Sequence, residues 1–355
     1  MTAFSSFDRD MMARSLVLAE KGLFTATPNP RVGCVLAKDG SIVAEGWHEK
    51  AGGPHAEVVA IEQAGSGASG ATLYVTLEPC NHQGRTAPCV DLILKTGIKR
   101  VVAAMLDPNP QAAHGGVKLA AAGVLFEHGL MQEEARELNI GFVSRMTRGR
   151  PWVRLKIAAT LDGRTALPDG RSQWITGPEA RRDGHRWRAR ACAILTGIGT
   201  VKADDPRLTV REVPTPRQPL RVVVDSRLEV PDAAKVLEGE RALIFCGTGK
   251  NRNISAEVLE LPNSEGKVDL ANMLQELGRR GVNELHVEAG FRLNGSLVRE
   301  GCVDELLIYL NPSLLGDEAL GMVELPGIES LERRTRLKIA SLDRVGEDIR
   351  ILARL

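Results

Sequence analysis

The stretch "GGPHAEVVAIEQAG", residues 52–65, decides how the first half of this chain is read. Proline suits a helix start, where its missing N–H would have no partner anyway. The apolar residues behind Pro54 recur at helical spacing. The pattern predicts a helix opened by Pro54, with His55 and Glu57 in its first turn. Downstream, "LEPCNHQGRTAPC" (77–89) sets Cys80 behind Pro79 at a predicted strand end and Cys89 behind Pro88 in the first turn of a predicted helix. A helix N-terminus favours the thiolate, so both sulfurs suit a metal. One imidazole and two thiolates, with a fourth position open, form the donor set of a catalytic zinc rather than a structural one. Their charges offset that of the ion, yet water bound there is still acidified, toward a pKa of about 7. Glu57 need not be a ligand. It is placed to take a proton from that water and deliver it to a leaving amine.

Working outward, helices and strands alternate. Residues 8–22 read as an amphipathic helix through Met11, Met12, Leu16, Ala19 and Leu23, ending at Gly22. "RVGCVLAKDGSIVAEGWH" (31–48) reads as a hairpin around Asp39-Gly40. Then come a strand in "ATLYVTLEPC" (71–80), a helix in "APCVDLILKTG" (87–97) and a strand in "IKRVVAAMLDPNP" (98–110). "GGVKLAAAGVLFEHG" (115–129) reads as a helix leading to a short strand, and 131–146 as a last helix. This alternation predicts a three-layer α/β domain with a partly parallel sheet. "TRGRP" (147–151) reads as a linker, dividing the chain into domains 1–147 and 151–355. The second domain is predicted to hold another α/β sheet. Its strands are expected at 152–159, 191–196, 220–225, 241–246, 284–289 and 304–310, and its helices at 178–190, 269–280 and 292–300.

Composition narrows the function. A chain of 355 residues is long enough for about two domains. Its net charge of +1 gives no electrostatic case for a nucleic-acid partner, and 4% aromatic content argues against a base-stacking surface. No apolar run reaches membrane-spanning length, and the N-terminus has no secretory pattern. Six cysteines are too sparse for a disulfide scaffold, so a reducing cytoplasm is expected.

His55-Ala56-Glu57 with Pro79-Cys80 fits the signature of zinc nucleobase deaminases, in which the second cysteine follows after two residues. Here eight residues intervene. The loop they form, "NHQGRTAP", hangs at the metal and carries His82, Arg85 and Thr86, suited to reading a polar substrate. Asn29, between two prolines in "TPNPRVG" (27–33), is expected to hydrogen-bond the pyrimidine. Cys34, Cys192, Cys246 and Cys302 read as core thiols, and His48, His114, His128, His185 and His286 as structural or surface histidines. A nucleic-acid base deaminase, such as a tRNA adenosine deaminase with an accessory domain, is disfavoured by the charge, the long loop and the large second domain. A non-catalytic zinc scaffold is disfavoured by Glu57, since a structural site is closed by four ligands.

"TPNPRVGCV", "PHAEV", "TLEPC", "GRTAPC", "DPNP", "LDGRTA", "SQWIT", "ADDPRLTVR", "VVDS", "VEAG" and "VDELLIY" together resemble the bifunctional riboflavin-biosynthesis deaminase/reductase of bacteria, over nearly the whole chain. The resemblance implies a zinc-dependent cytidine-deaminase-like domain in front and a dihydrofolate-reductase-like NADPH domain behind. The implied substrate is 2,5-diamino-6-ribosylamino-4(3H)-pyrimidinone 5′-phosphate, which loses its ring 2-amino group before its ribose is reduced to ribityl. Carried onto this sequence, the resemblance makes His55, Cys80 and Cys89 zinc ligands, Glu57 the proton shuttle and Lys156 a residue tied to reduction. It puts Ala158, Trp174, Thr200, Asp204, Ser226 and the run Gly290, Phe291, Arg292, Leu293, Asn294, Gly295, Ser296 beside the cofactor. It puts Ser172, Arg188, Leu208, Arg211 and Glu288 beside the substrate. It also implies a small-molecule enzyme, homo-oligomeric, with no nucleic-acid or membrane partner. Asn81 stands where the family often has Ser, and Phe291-Arg292 where it often has Pro-Thr. On the residues alone the second half says less. No G-x-G-x-x-G follows a strand, and "LTGIGTVKADDP" (195–206) reads as an ordinary strand-to-helix loop. "VEAGFRLNGS" (287–296) is suited to laying a helix N-terminus against a phosphate.

Overall fold

The computed structural model describes residues 4–83, 87–239, 242–247 and 252–355. Two compact units divide the chain, Met1–Arg148 and Gly149–Leu355.

The first unit runs α1 (Ser6–Glu20), β1 (Gly33–Lys38), β2 (Ser41–Trp47), α2 (Ala56–Ala64), β3 (Thr72–Leu77), α3 (Cys89–Thr96), β4 (Arg100–Met105), α4 (Gly115–Ala121), β5 (Leu125–His128), α5 (Gln132–Leu138) and α6 (Ile140–Arg148). Ser5 and Asp8 start α1 with a reciprocal capping box. Asp39 and Gly40 both take positive φ, as a two-residue hairpin turn demands. The sheet order is β2-β1-β3-β4-β5, antiparallel as far as β3 and parallel from there to β5. Two glycines fix the layers. A Cβ on Gly33 would stand 1.9 Å from the Ser15 carbonyl oxygen in α1, and one on Gly46 would stand 2.3 Å from that of Ala56 in α2. Gly46 pairs with Cys34, the neighbour of Gly33, so the two glycines face opposite sides of the sheet. Helices α1 and α2 therefore cover opposite faces, giving the three-layer form. The helix expected over 131–146 is two helices, broken at Asn139. Its side chain accepts from Arg31 N–H (2.8 Å) and donates to Arg31 C=O (2.9 Å), replacing a strand partner and turning the chain out of the helix.

The second unit runs β6 (Trp152–Thr160), β7 (Arg164–Ala166), α7 (Pro178–Arg190), β8 (Ala193–Gly197), α8 (Ile198–Asp204), β9 (Leu220–Val224), β10 (Ala242–Cys246), β11 (Glu257–Glu260), α9 (Leu270–Arg279), β12 (Glu284–Val287), α10 (Phe291–Arg299), β13 (Glu305–Asn311), β14 (Leu320–Gly321), β15 (Lys338–Val345) and β16 (Asp348–Arg354). Among the described residues, nine strands form one sheet in the order β11-β10-β9-β8-β12-β6-β13-β16-β15. The first seven are parallel, and β16 and β15 close the far edge antiparallel. Strands β7 and β14 make a separate two-stranded pair.

Helices α9 and α10 cover one face, packing on Val153, Leu155, Leu285, Val287 and Leu306. The residues between these point to the other face, which under α7 is polar. Arg154 on β6 meets Glu284 and Glu305 at 3.1 and 2.6 Å and stacks on Trp187 of α7 at 4.3 Å. Tyr309 donates to Asp183 of α7 at 2.6 Å. Burial of such an ion cluster is tolerable because each charge has opposite partners.

Candidate active sites

In the first unit α2 starts at the edge set by Gly46, and His55 is its N-cap residue. Cys80 lies three residues beyond β3, and Cys89 is the first residue of α3, with Pro88 as N-cap rather than inside the helix. These separate elements bring three donor atoms within 4.8 Å of one another. His55 Nδ1 lies 3.2 Å from Cys89 Sγ and 3.5 Å from Cys80 Sγ. A tetrahedral ion with zinc–sulfur and zinc–nitrogen bonds of about 2.3 and 2.0 Å has N···S edges of roughly 3.5 Å. The donor set fits zinc in identity and in spacing. The Cys89 N–H also points at Cys80 Sγ (3.4 Å). That sulfur is pulled down to about 4, first by a hydrogen bond from the Cys89 thiol and then by His55, against burial.

Glu57 stands in the first turn of α2. It is 4% exposed, and its carboxyl is raised by burial, opposed by His55. A carboxyl so placed beside the metal ligands takes up a proton more readily than one in water.

Around this centre stand partners that the sequence did not signal. His48, expected to be structural, is buried and meets His55 edge-on at 5.5 Å. Its Nδ1 donates to Pro54 C=O (2.8 Å), so Nε2 is left to accept from the Asn29 amide at 3.0 Å. Asn29 is thereby held with its amide nitrogen toward His48. The buried Glu78 carboxylate takes N–H groups from Gly116 (2.9 Å) and Asp107 (3.1 Å), tying the end of β3 to the loop after β4. Asp107 is pushed up to about 7, by burial first, with Glu78, Cys80 and Glu57 adding to it. His82 has a buried Nδ1 with no hydrogen-bond partner among the described residues. Arg85 and Thr86 lie outside the described residues.

In the second unit, several predicted residues meet at the carboxyl ends of β8 and β12, where open α/β sheets bind ligands. Arg188 of α7 grips Glu288 with a two-pronged bond (2.5 and 2.7 Å) and spends a third N–H on Thr209 C=O (3.0 Å). Lys156 is lowered by burial, partly opposed by Glu288. Arg211 is exposed, and its backbone N–H donates to His185 Nδ1 at 3.1 Å. His185 is pushed down to about 4, by burial and then by Arg188 and Arg211. Gly290 caps α10 and lies beside Thr200 of α8; a Cβ there would be 3.8 Å from the Thr200 hydroxyl. Asp204 bonds Gln173, which brings the loop of Ser172 and the 70% exposed Trp174 alongside α8. Ser226 accepts from Val268 N–H at 3.2 Å, and Ala158 sits opposite Tyr309 in register.

Not every predicted residue turns its side chain to this edge. Leu208 is buried in the core, with positive φ. Asn294 is buried and bonds Met322 C=O (3.0 Å), a Cβ on Gly295 would stand 2.2 Å from Glu324 C=O, and Leu293 packs on Gly197. Phe291 and Arg292 stack on each other at 5.5 Å, and Ser296 bonds back to Arg292 C=O (3.3 Å). Leu293, Asn294 and Gly295 are thus engaged within the fold, while Arg292 is exposed.

Comparison with known proteins decides the family. The model of the RibD C-terminal domain matches residues 151–351, and that of the cytidine and deoxycytidylate deaminase zinc-binding region matches 5–105. The riboflavin biosynthesis protein RibD of Escherichia coli (strain K12) is 46% identical, over 96% of this chain and 98% of the relative. The chain belongs to the RibD family. RibD of Aquifex aeolicus (strain VF5) is also 46% identical, over 96% and 97% of the two chains. The solved structure of Acinetobacter baumannii RibD superposes with a TM-score of 0.92 at 40% identity, covering 98% of each chain. That of a diaminohydroxyphosphoribosylaminopyrimidine deaminase/5-amino-6-(5-phosphoribosylamino)uracil reductase from Thermotoga maritima gives 0.89 at 33%, with the same coverage. Like other RibD proteins this chain is a bifunctional enzyme of riboflavin biosynthesis, a zinc-dependent deaminase and an NADPH-dependent reductase. A tRNA adenosine deaminase with an accessory domain is not the better reading. Among the described residues, no helix is long and apolar enough to cross a membrane.

Proposed function

We propose that the first unit deaminates 2,5-diamino-6-ribosylamino-4(3H)-pyrimidinone 5′-phosphate and that the second reduces the ribose of the product, giving 5-amino-6-ribitylaminouracil 5′-phosphate. The observation that carries this is the junction of His55, Cys80, Cys89 and buried Glu57 in a chain of RibD length and order. His55 Nδ1 and the two sulfurs hold the zinc. When bound, zinc supplies the Lewis acidity that makes water a nucleophile near neutral pH. Glu57, raised by burial, would hold a proton taken from the attacking water and pass it to the departing 2-amino nitrogen, which leaves as ammonia. Asn29, oriented by His48, hydrogen-bonds the pyrimidine, with His82 and Arg85 of the long loop reading its polar edge.

In the second unit NADPH supplies the hydride. The first turn of α10, opened by Gly290, offers free N–H groups to a cofactor phosphate, with Thr200, Asp204, Trp174, Ser226 and Ala158 completing that side. Lys156 donates a proton or hydrogen bond to the ribose oxygen as the hydride arrives at carbon, with Glu288 as its counter-charge. Arg188 is committed to Glu288 and orders the site; the exposed Arg211 is a cation available to the substrate phosphate, with Ser172 on the substrate side. The enzyme is cytoplasmic, acts on a small phosphorylated pyrimidine and not on nucleic acid or at a membrane, and is a homo-oligomer. The exposed Ile339 and Leu342 on edge strand β15, with Ile349 on β16, support self-association.

The test is direct. Purified protein is expected to carry one zinc per chain and to release ammonia from the free phosphorylated pyrimidine but not from an oligonucleotide. Cys80→Ser should lose metal and deamination together. Stoichiometric zinc retained in that variant, by atomic absorption, would remove Cys80 from the ligand set.

A further inference from the structure

His286 sits in the middle of β12, fully buried, and nothing in the reactions above uses it. Among the described residues, neither ring nitrogen has an aligned hydrogen-bond partner. Such a group is costly to bury, and each one in a folded protein calls for a reason. Its neighbours along the strand, Leu285 and Val287, belong to the apolar core on the opposite face. An apolar side chain at 286 would pack without that cost.

What surrounds the imidazole supplies a reason. Residues two apart on a strand share a face, so Glu284, His286 and Glu288 form one row. Arg154 of β6 is opposite His286 in register, with Lys156 two residues on. Arg188 comes from α7 above, and Thr196 of β8 lies on the far side, donating to Glu288 C=O at 2.7 Å. Within this ring of charge, Nε2 of His286 lies 3.2 Å from Glu288 Oε1. The distance is that of a hydrogen bond and only the direction is off. Such bonds in ligand-free sites often align only when substrate binds.

We propose that His286 is a positioning residue of the reductase site, holding Glu288 Oε1 through Nε2–H so that the carboxylate stays set against Lys156. The inference rests on the reading of Lys156 and Glu288 as reductase residues. Arg188 already occupies both carboxylate oxygens from α7, and His286 adds a donor from the same row of the strand. The chemistry favours imidazole over a second cation. Burial lowers the ring's affinity for a proton, with Arg188 and Arg154 acting in the same sense against Glu288, so the ring donates while neutral. A lysine or arginine there would add a charge beside Lys156 and compete for its counter-ion.

The test uses full-length variants given the deaminated substrate and NADPH. His286→Leu keeps bulk and removes the donor, and His286→Phe replaces it if the first does not fold. His286→Gln returns an N–H near the Nε2 position. Loss of a hydrogen bond to a charged group at a reacting site predicts a fall in reductase kcat of about tenfold or more for Leu or Phe. KM for NADPH and the deaminase rate should be unchanged, and Gln should recover most of the loss. Normal kcat in the Leu or Phe variant, or a Gln variant as slow as either, overturns the proposal. Glu288→Gln and Lys156→Ala run alongside. If both reduce substrate at the normal rate, the reading of the site fails and takes the proposal with it. If they are slow while His286→Leu is normal, the proposal alone fails.

Discussion

Glu57 and Lys156 are each buried or half-buried groups whose proton affinity the surroundings shift, the carboxyl up and the amine down, in the direction the proposed roles need. Glu57→Gln keeps the shape, so zinc content and circular dichroism should stay normal. Deamination should fall by about 10²–10⁴-fold, the usual contribution of a general acid–base group. Reduction of supplied deaminated substrate should continue, and Lys156→Ala should show the reverse pattern. Equal loss of both activities in the folded Glu57 variant would rule out independent sites. The convergence of His55, Cys80 and Cys89 was legible in the sequence because zinc restricts both residue type and flanking structure, and these three meet both restrictions. His48, Glu78 and Asp107 were not legible as its supports. Each acts through a tertiary contact, His48 with Asn29 and Glu78 with Gly116, that no local pattern announces. The burial of Glu57 was not legible for the same reason: a helix start is usually exposed, and this one is covered.

At the scale of elements, the position of α2 depends on one absent side chain. Gly46→Val would drive a Cβ into the Ala56 carbonyl and lift the helix start that carries His55 and Glu57. Misplacing a reacting group by about 1 Å can cost roughly 10²-fold in rate. Expected are weaker zinc retention on dialysis against a chelator and a deaminase loss of about tenfold or more, near-complete if the metal is lost. Reductase activity should be spared. On the other side of the same sheet, Asp8 links α1 to β4. Burial would raise its pKa, but bonds from Arg100 (2.5 Å), Tyr74 (2.7 Å) and Ser5 hold it well below the usual carboxylate range. A depressed folded value stabilises the fold above the unfolded pKa, near 4, and that contribution is lost as pH falls further. Asp8→Asn should cost about 1–3 kcal/mol at pH 7. The gap from the parent should narrow in urea titrations below pH 4; a constant gap would deny the linkage. Parallel strands such as β9 and β10 were readable as continuous apolar runs. The β15–β16 hairpin was not, because β15 is largely exposed and alternates polar and apolar residues without a buried face.

At the scale of the molecule, each unit has its own hydrophobic core, and the motif set of each chemistry falls within one of them. Heating should therefore give an unfolding profile that does not fit one two-state step. Gly and Pro punctuation marks the proposed linker at 147–151 in the sequence, while the nine-stranded extent of the second sheet needed the pairing of strands far apart in sequence. The metal centre of the first unit also bears on how the whole enzyme ages. The two ligand sulfurs lie within 4.8 Å of each other and of one imidazole, so an ion there keeps apart two thiols otherwise poised to join. Stripped of metal and exposed to a mild oxidant such as diamide, Cys80 and Cys89 should close into a disulfide, each thiol giving up one proton and one electron. Zinc added afterwards should fail to restore deamination until dithiothreitol is supplied, whereas reduction by the other half should persist throughout. The ratio of the two activities then serves as an internal record of a sample's redox history.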